Sequence, residues 1–244
     1  MNNQRVVLVT GGTSGIGLET VKLFASRGFQ VQTCARNRFN FTQVTDSASV
    51  RNISCSYFDI GETQKLSQWI EQIGKQFGKI DLLVNNAAAV IRKPLLEMTS
   101  PEIQHCLNVN LAAVVESSKS ALPFFDSQAG AMIINLSSMA AIDPFAGFSV
   151  YGACKAFIEL FTKSLAGEIA NRNVRCYSIR AGTVATPLLR RVLPSIPDSD
   201  CLPASTIARL ILELHEKPTA YPSGDAIEIT RENSDSIFHK MRYD

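Results

Sequence analysis

Three polar side chains in the middle of the chain have the types and spacing that proton transfer needs: Ser138, Tyr151 and Lys155. Tyr151 and Lys155 stand four residues apart in Tyr151-Gly152-Ala153-Cys154-Lys155, so on a helix both side chains share one face. A free phenol holds its proton to about pH 10, too tightly for easy acid–base work near neutrality. A fixed positive charge beside it favours the phenolate and lowers that pKa toward the working range. Tyr-x-x-x-Lys alone is common by chance. Ser138, thirteen residues before Tyr151, and a glycine-rich turn near the N-terminus make it part of a constellation.

That turn is Thr10-Gly11-Gly12-Thr13-Ser14-Gly15-Ile16-Gly17. It follows Val6-Val7-Leu8-Val9, a run suited to a buried parallel strand. After it, Leu18, Val21, Phe24 and Ala25 recur at helical spacing, and Gly28 sits where that helix should stop. Strand, glycine turn and helix are the context of a dinucleotide fingerprint. Gly11 lets the chain turn tightly, Gly15 lets the backbone approach a pyrophosphate, and Gly17 lets the helix pack on the strand. The helix N-terminus would face the phosphates. The spacing is Gly-x-x-x-Gly-x-Gly rather than the commoner Gly-x-Gly-x-x-Gly.

The elements that must position these residues alternate along the chain. Candidate strands are Val6–Thr10, Val31–Cys34, Cys55–Phe58, Ile80–Val84, Met132–Leu136, Val174–Ile179 and Asp225–Ile229. Helical patterns lie between them, such as Leu66, Trp69, Ile70, Ile73 and Phe77 ending at Gly78. Ser100-Pro101-Glu102 reads as a helix start with Ser100 as the cap. The stretch from Arg38 to Arg51 is short and polar for a full crossover helix. The alternation predicts an α/β fold of Rossmann type, a doubly wound parallel sheet with helices on both faces and ligands beyond the carboxyl ends of the strands. Its seven strands would run in the order 3-2-1-4-5-6-7, within one domain over residues 1–244.

Composition narrows the function classes. The net charge of +2 gives no reason to expect nucleic acid or an anionic membrane as partner. No stretch approaches the roughly 20 apolar residues of a membrane span, and the N-terminal apolar run is too short for a signal peptide. Cys34, Cys55, Cys106, Cys154, Cys176 and Cys201 form no Cys-x-x-Cys pair. That argues against a zinc site or a disulfide framework and for a reducing, cytoplasmic setting. His105, His215 and His239 are isolated, which speaks against a metal site and a Ser-His-Asp triad.

Taken with Asn85-Asn86-Ala87, these stretches resemble the short-chain dehydrogenase/reductase family, in family order and at family spacing. The likeness runs from about Val6 to about Ile229 and is strongest to the compact branch that includes 3-oxoacyl-carrier-protein reductases. It implies an NAD(P)-dependent oxidoreductase that reduces a small-molecule carbonyl compound. In that reading Tyr151 donates a proton to the carbonyl oxygen as hydride reaches the carbon. Lys155 lowers the phenol pKa and holds the nicotinamide ribose, and Ser138 orients the substrate oxygen. The thirteen-residue interval selects Ser138 over Ser137. Asn110, in preference to Asn108, resembles the family asparagine that supports a proton-relay water. The regulatory alternative, nucleotide binding on this fold without turnover, remains, as does turnover in the alcohol-oxidising direction.

The resemblance also implies the cofactor contacts: Gly11, Thr13, Ser14, Gly15, Ile16 and Gly17 at the first turn, and Asp59 with Ile60 at the adenine. Asn86, Ala87 and Ala88 follow the fourth strand, Gly182, Val184 and Thr186 hold the carboxamide, and Tyr151 and Lys155 hold the ribose. At the end of the second strand an acidic residue would favour NAD. This chain has Arg36-Asn37-Arg38 instead, and a guanidinium at Arg36 can grip a 2′-phosphate. NADPH is therefore expected to bind more tightly than NADH. The chain departs from the family at Ala88, Ala181 and Tyr177, usually glycine, proline and asparagine.

Pro187 to Pro203 should form a lid with Leu188, Leu189, Val192 and Leu193 beside Arg190 and Arg191, and 231–244 reads as a polar tail. Val90, Ile91 and Arg92 with Met139, Phe145 and Phe148 would make the opposite wall. An anionic acyl substrate and a plain hydrophobic ketone both fit that pattern. The helix from Val150 to Ala170 carries Phe157, Ile158, Leu160, Phe161 and Leu165, more apolar surface than one face needs, which implies a homodimer or homotetramer.

Overall fold

A computed structural model describes residues 4–125 and 130–243, with side chains described up to 238. The His239 side chain and the end of the 231–244 segment lie outside that description. The strands are β1 (Val6–Thr10), β2 (Gln30–Ala35), β3 (Ile53–Tyr57), β4 (Leu82–Asn85), β5 (Ala131–Ser138), β6 (Val174–Ala181), β7 (Val184–Ala185), β8 (Leu202–Pro203) and β9 (Ala226–Ile229). Seven of them form one parallel sheet in the order β3-β2-β1-β4-β5-β6-β9. The spatial order is the expected one. Its last strand is the ninth in sequence because β7 and β8 form a separate two-stranded pair, too short to be read from side-chain pattern.

Alternation along β1 shows why the sheet is covered twice. Val7 and Val9 join one buried cluster with Phe24 and Ile211, from helices α1 (Gly15–Ser26) and α7 (Ala204–Glu216). Val6 and Leu8 join a second with Leu66, Trp69 and Ile70 of α2 (Thr63–Phe77). A strand buried on both faces has no polar positions, so it reads as a continuous apolar run. Its start is pinned where the buried carboxylate of Asp81 accepts the Val6 N–H at 2.6 Å.

Two boundaries moved for identifiable reasons. Helix α3 (Ser100–Leu107) is capped by Thr99 rather than Ser100. Thr99 Oγ1 accepts from the Glu102 N–H and the Glu102 carboxylate accepts from the Thr99 N–H at 2.9 Å, a reciprocal capping box. The 231–244 segment is no mere polar tail, because Ser234–Tyr243 forms α8 and buries Ile237 and Phe238. The Arg209 guanidinium of α7 lies 3.4 Å from the Phe238 ring centroid. The short crossover is as expected: residues Phe41–Gln43 and Ser49–Asn52 form single 3-10 turns, and Phe41 is buried in place of a helix face.

Two helices complete the frame of the site. α4 (Ala113–Ala121) follows α3 through a widened π-turn, Asn108–Ala112, and α5 (Ser149–Glu168) carries Tyr151 and Lys155. A short helix, α6 (Pro187–Val192), lies between β7 and β8 with Thr186 as its cap. The 187–203 segment is thus bracketed by the small strand pair.

Candidate active site

A cavity of about 880 Å³ opens at the carboxyl edge of the sheet. Fifteen of the predicted cofactor residues line it: Gly11, Thr13, Ser14, Gly15, Ile16, Arg36, Asn37, Asp59, Ile60, Asn86, Ala87, Ala88, Gly182, Val184 and Thr186. Ser138, Tyr151 and Lys155 line it too. Gly17 and Asn110 do not; both are buried behind its wall.

The glycine turn is held open by hydrogen bonds from neighbouring strands. Asn86 Nδ2 donates to the carbonyl oxygens of Thr10 and Gly11 at 2.8 and 3.2 Å. Thr10 Oγ1 accepts from the N–H groups of Asn86 and Ala87 at 3.0 and 3.1 Å. Thr33 Oγ1 accepts from the Gly12 N–H at 3.1 Å, a contact that sequence reading missed because Thr33 belongs to no glycine motif. A Cβ on Gly17 would meet Gly11 O at 2.3 Å and Asn86 Nδ2 at 2.4 Å, so Gly17 serves packing rather than direct contact. A Cβ on Gly15 would meet Thr186 Cγ2 at 2.9 Å, across the cavity mouth. At the start of α1 the Ser14 side chain makes no capping hydrogen bond. An uncapped helix start on a glycine cradle is the donor set a pyrophosphate requires, so the residues fit a dinucleotide.

The two arginines after β2 have different surroundings. Arg38 lies over the Tyr57 ring, 5.9 Å from its centroid, whereas Arg36 lines the cavity and is exposed. Asp59 Oδ1 accepts from the Gly61 N–H at 2.8 Å, which shapes the turn after β3. Of the expected carboxamide contacts, Thr186 Oγ1 already accepts from the Leu189 N–H at 3.2 Å to cap α6. Gly182 N–H is bonded to Ile229 O at 2.9 Å.

The catalytic candidates converge as the spacing requires. Ser138 ends β5, its hydroxyl accepts the Ala140 N–H at 3.2 Å, and it lies near enough to the Tyr151 phenol to favour the phenolate. The Ser137 hydroxyl has other partners. It is 2.8 Å from Glu159 Oε1 and 3.2 Å from the Lys155 carbonyl oxygen, so it is already engaged although the residue also lines the cavity. Asn108 is likewise set aside, since it accepts from Gln104 Nε2 at 2.7 Å. Asn110 Nδ2 donates at 2.8 Å to both Ala89 O and Cys106 O, within the π-turn that widens the helix there.

The electrostatics differ from the simple expectation. Lys155 Nζ donates to Leu136 O at 2.7 Å and sits over the Tyr151 ring, 5.5 Å from its centroid. Burial pushes the Tyr151 phenol up to about 12, opposed by the Ser138 hydrogen bond. Burial also lowers Lys155 to about 8, opposed by the thiols of Cys154 and Cys106. In this arrangement the lysine does not bring the phenol toward neutrality, and Tyr151 holds its proton firmly. Those two thiols also act on each other, the neighbouring thiol and burial pushing Cys154 up while Cys106 is lowered, a pairing invisible in a chain with scattered cysteines. His105 and Asp143 also line the cavity, although neither stood in a motif.

Two of the three departures from the family pattern have visible local surroundings. Tyr177 is buried and its hydroxyl donates to the 218–221 loop, at 3.0 Å from Tyr221 O. Ala181 pairs with Ser138 and Ile229 at the end of β6. Ala88 lines the cavity, and nothing else in the structure accounts for its methyl group.

Comparison with known proteins decides the family, because residues 5–196 match the short chain dehydrogenase family. The chain is a member of the short-chain dehydrogenase/reductase family. It is similar to the 3-oxoacyl-[acyl-carrier-protein] reductase FabG of Thermotoga maritima, 28% identical over 92% of this chain and 96% of that one. Carbonyl reductase family member 4 of Xenopus laevis is 32% identical over 75% of this chain and 77% of its own. The crystal structure of a 3-ketoacyl-(acyl-carrier-protein) reductase from Brucella melitensis, complexed with NADH, superposes with a TM-score of 0.82. That chain is 25% identical, with 94% of this chain and 98% of that one covered. This short-chain dehydrogenase/reductase is therefore an NAD(P)-dependent oxidoreductase. No helix among its described residues is long and apolar enough to cross a membrane.

Proposed function

We propose that this enzyme reduces a ketone or 3-oxoacyl carbonyl to a secondary alcohol with NADPH, using Tyr151 as the general acid. The observation that carries the reading is the meeting of Ser138, Tyr151 and Lys155 with the glycine turn and Arg36 around one cavity. Bound at the glycine turn, the dinucleotide supplies a hydride. The Ser138 hydroxyl orients the substrate oxygen, and Tyr151, protonated at neutral pH, delivers its proton to that oxygen. Lys155 is positioned to hold the nicotinamide ribose and to return a proton to the phenol. Asn110 keeps the α3–α4 junction in place behind Lys155. Arg36 favours a 2′-phosphate, since no carboxylate follows β2 and Arg38 is engaged with Tyr57.

The chain works as one dinucleotide-binding domain with 187–203 as its lid, and its free cysteines fit a reducing cytoplasm. Self-association through α5 accounts for an apolar strip that the fold leaves uncovered. Leu160 is 71% exposed beside Phe157, whose ring stacks on Phe161, while Ile158 and Leu165 face inward.

A panel of ketones, diketones and 3-oxoacyl thioesters, with NADPH and NADH compared, tests the reading. NADPH should bind roughly ten- to a hundredfold more tightly, as a charge-assisted contact allows, and Arg36→Asp should reverse the order. Equal affinities would remove the cofactor assignment. NADPH binding without turnover of any carbonyl would favour the regulatory alternative.

A further inference from the structure

A second cavity, of about 630 Å³, adjoins the first at its substrate end. The two share Val90, Ile91, Arg191 and Val192, and none of those is among the expected dinucleotide contacts. Cations in the second cavity are therefore not explained by dinucleotide phosphates. Its wall brings three together, Arg92, Lys93 and Arg191, and includes no carboxylate.

Their partners differ. Lys93 Nζ is held by the Glu102 carboxylate at 2.5 Å, so its charge is answered within the protein. Arg92 and Arg191 enter no ion pair among the described residues. Arg92 instead reaches across the gap to the lid, where Nη1 lies 3.5 Å from the Val192 carbonyl oxygen. The neighbouring lid arginine makes the contrast. Arg190 turns back to Asp198 and the Ile196 carbonyl and so serves the lid itself, while Arg191 faces both cavities.

The floor is kept low by small residues. Ala146 and Gly147 line it, and Gly147 has φ +87°. A Cβ there would press within 3.2 Å of the Arg92 stem, so a larger residue would displace the guanidinium. An apolar passage past Val90, Ile91 and Val192 thus leads from the reacting centre to two guanidiniums that enter no ion pair among the described residues, Arg92 held only by a long bond to the Val192 carbonyl.

From this geometry we infer that Arg92 and Arg191 form a subsite for the anionic end of the substrate, a carbonyl compound with an apolar body ending in a carboxylate or a phosphate. Planar guanidiniums suit either oxyanion through paired N–H donors. The inference rests on the reductase reading for its substrate class, and it goes further by choosing the anionic compound over the plain hydrophobic ketone. It also divides the lid arginines, since Arg191 recognises and Arg190 does not.

The experiment compares a ten-carbon oxo acid, its carbon-chain analogue ending in phosphate, and the methyl ester of the oxo acid, with NADPH at low salt. One or both anions should be favoured over the ester in kcat/KM by roughly ten- to a hundredfold, and the larger of the two ratios says which oxyanion the subsite takes. In Arg92→Leu/Arg191→Leu that ratio should fall close to one, and in Arg190→Leu it should persist. A parent ratio near one, or one that survives the double substitution, would overturn the subsite. Binding is measured in parallel with decanoate, decyl phosphate and decanol, by displacement of a fluorescent fatty probe. If no ketone is reduced but an anion binds more tightly than decanol and loses that advantage in the double variant, the reductase reading fails and the subsite stands. If neither anion binds more tightly than decanol, the subsite fails whatever the turnover.

Discussion

The two ends of the cavity are built from different material. At the cofactor end the wall is backbone, held by Asn86, Thr10 and Thr33 through hydrogen bonds of about 3 Å, and a single methyl on Gly17 would strike Gly11 O at 2.3 Å. At the substrate end the wall is side chain. Phe145 is 54% exposed, and a six-residue helix, α6, adds Leu188, Leu189 and Val192. Backbone walls discriminate by fractions of an ångström, whereas apolar side-chain walls discriminate by total covered area. Changes of one atom should therefore matter at the first end and at the seam between the two, and changes of shape should be forgiven at the second.

The largest effect is expected at the seam. Tyr151→Phe removes one oxygen and leaves the ring against Phe148, whose centroid lies 5.7 Å away. Turnover should fall by about 10²–10⁴-fold, the usual loss of a general acid, while NADPH affinity measured by fluorescence stays nearly constant. Near-normal turnover would mean that the proton comes from another group, and the division into a rigid and a forgiving end would lose its central residue.

Lys155 tests the rigid end by pH. It is only 3% exposed, and burial holds its pKa near 8 instead of 10.5. Between those two values the unfolded chain binds more protons than the folded one, so stability rises with pH across that window. Below about pH 8 the ammonium stays charged in both states, and the cost of burying it is present in full. Lys155→Met should therefore raise the Tm of the cofactor-free protein at pH 7, by about 5 °C if a few kcal/mol of desolvation is relieved. The gain should shrink steadily toward pH 10. The same variant should lose both turnover and cofactor affinity. A Tm difference that does not change between pH 7 and pH 10 would show that burial does not strain the ammonium.

The same contrast explains what could be read from the sequence. Glycines at fixed spacing after an apolar run are a backbone requirement, and such requirements survive as residue identities; Gly11, Gly15 and Gly17 were legible for that reason. Ser138, Tyr151 and Lys155 stand out as candidates because proton transfer tolerates few residue types, and the structure brings all three to one cavity. Asn86 lines the cavity, yet the strand contacts that occupy its amide leave no trace in a short motif. The contact between Gly12 and Thr33 spans 21 residues and leaves no local signature. Thr99 displaced Ser100 as a cap because both hydroxyls satisfy the pattern and only the Glu102 reciprocity separates them. The short pair β7–β8 and the burial of Phe238 depend on tertiary neighbours alone. The Tyr151 pKa was misjudged because adjacency on a helix says nothing of how deeply both groups are buried.

The smallest effect is expected at the forgiving end, and it sharpens the comparison. Phe145 packs edge-on against Phe148 with centroids 6.2 Å apart and otherwise faces the cavity. The fold gains little from a ring that stays half-exposed, so Phe145→Ala should change Tm by no more than about 1–2 °C. A bound substrate would cover what remains exposed. Losing that coverage should raise KM severalfold, since about 1 kcal/mol corresponds to roughly a fivefold change. Phe145→Leu keeps most of the apolar area and changes the shape, so its KM should lie within about twofold of the parent. Steady-state kinetics on one apolar ketone reads both variants. If leucine is as damaging as alanine, the substrate wall discriminates by shape as the cofactor wall does, and the contrast between the two ends fails.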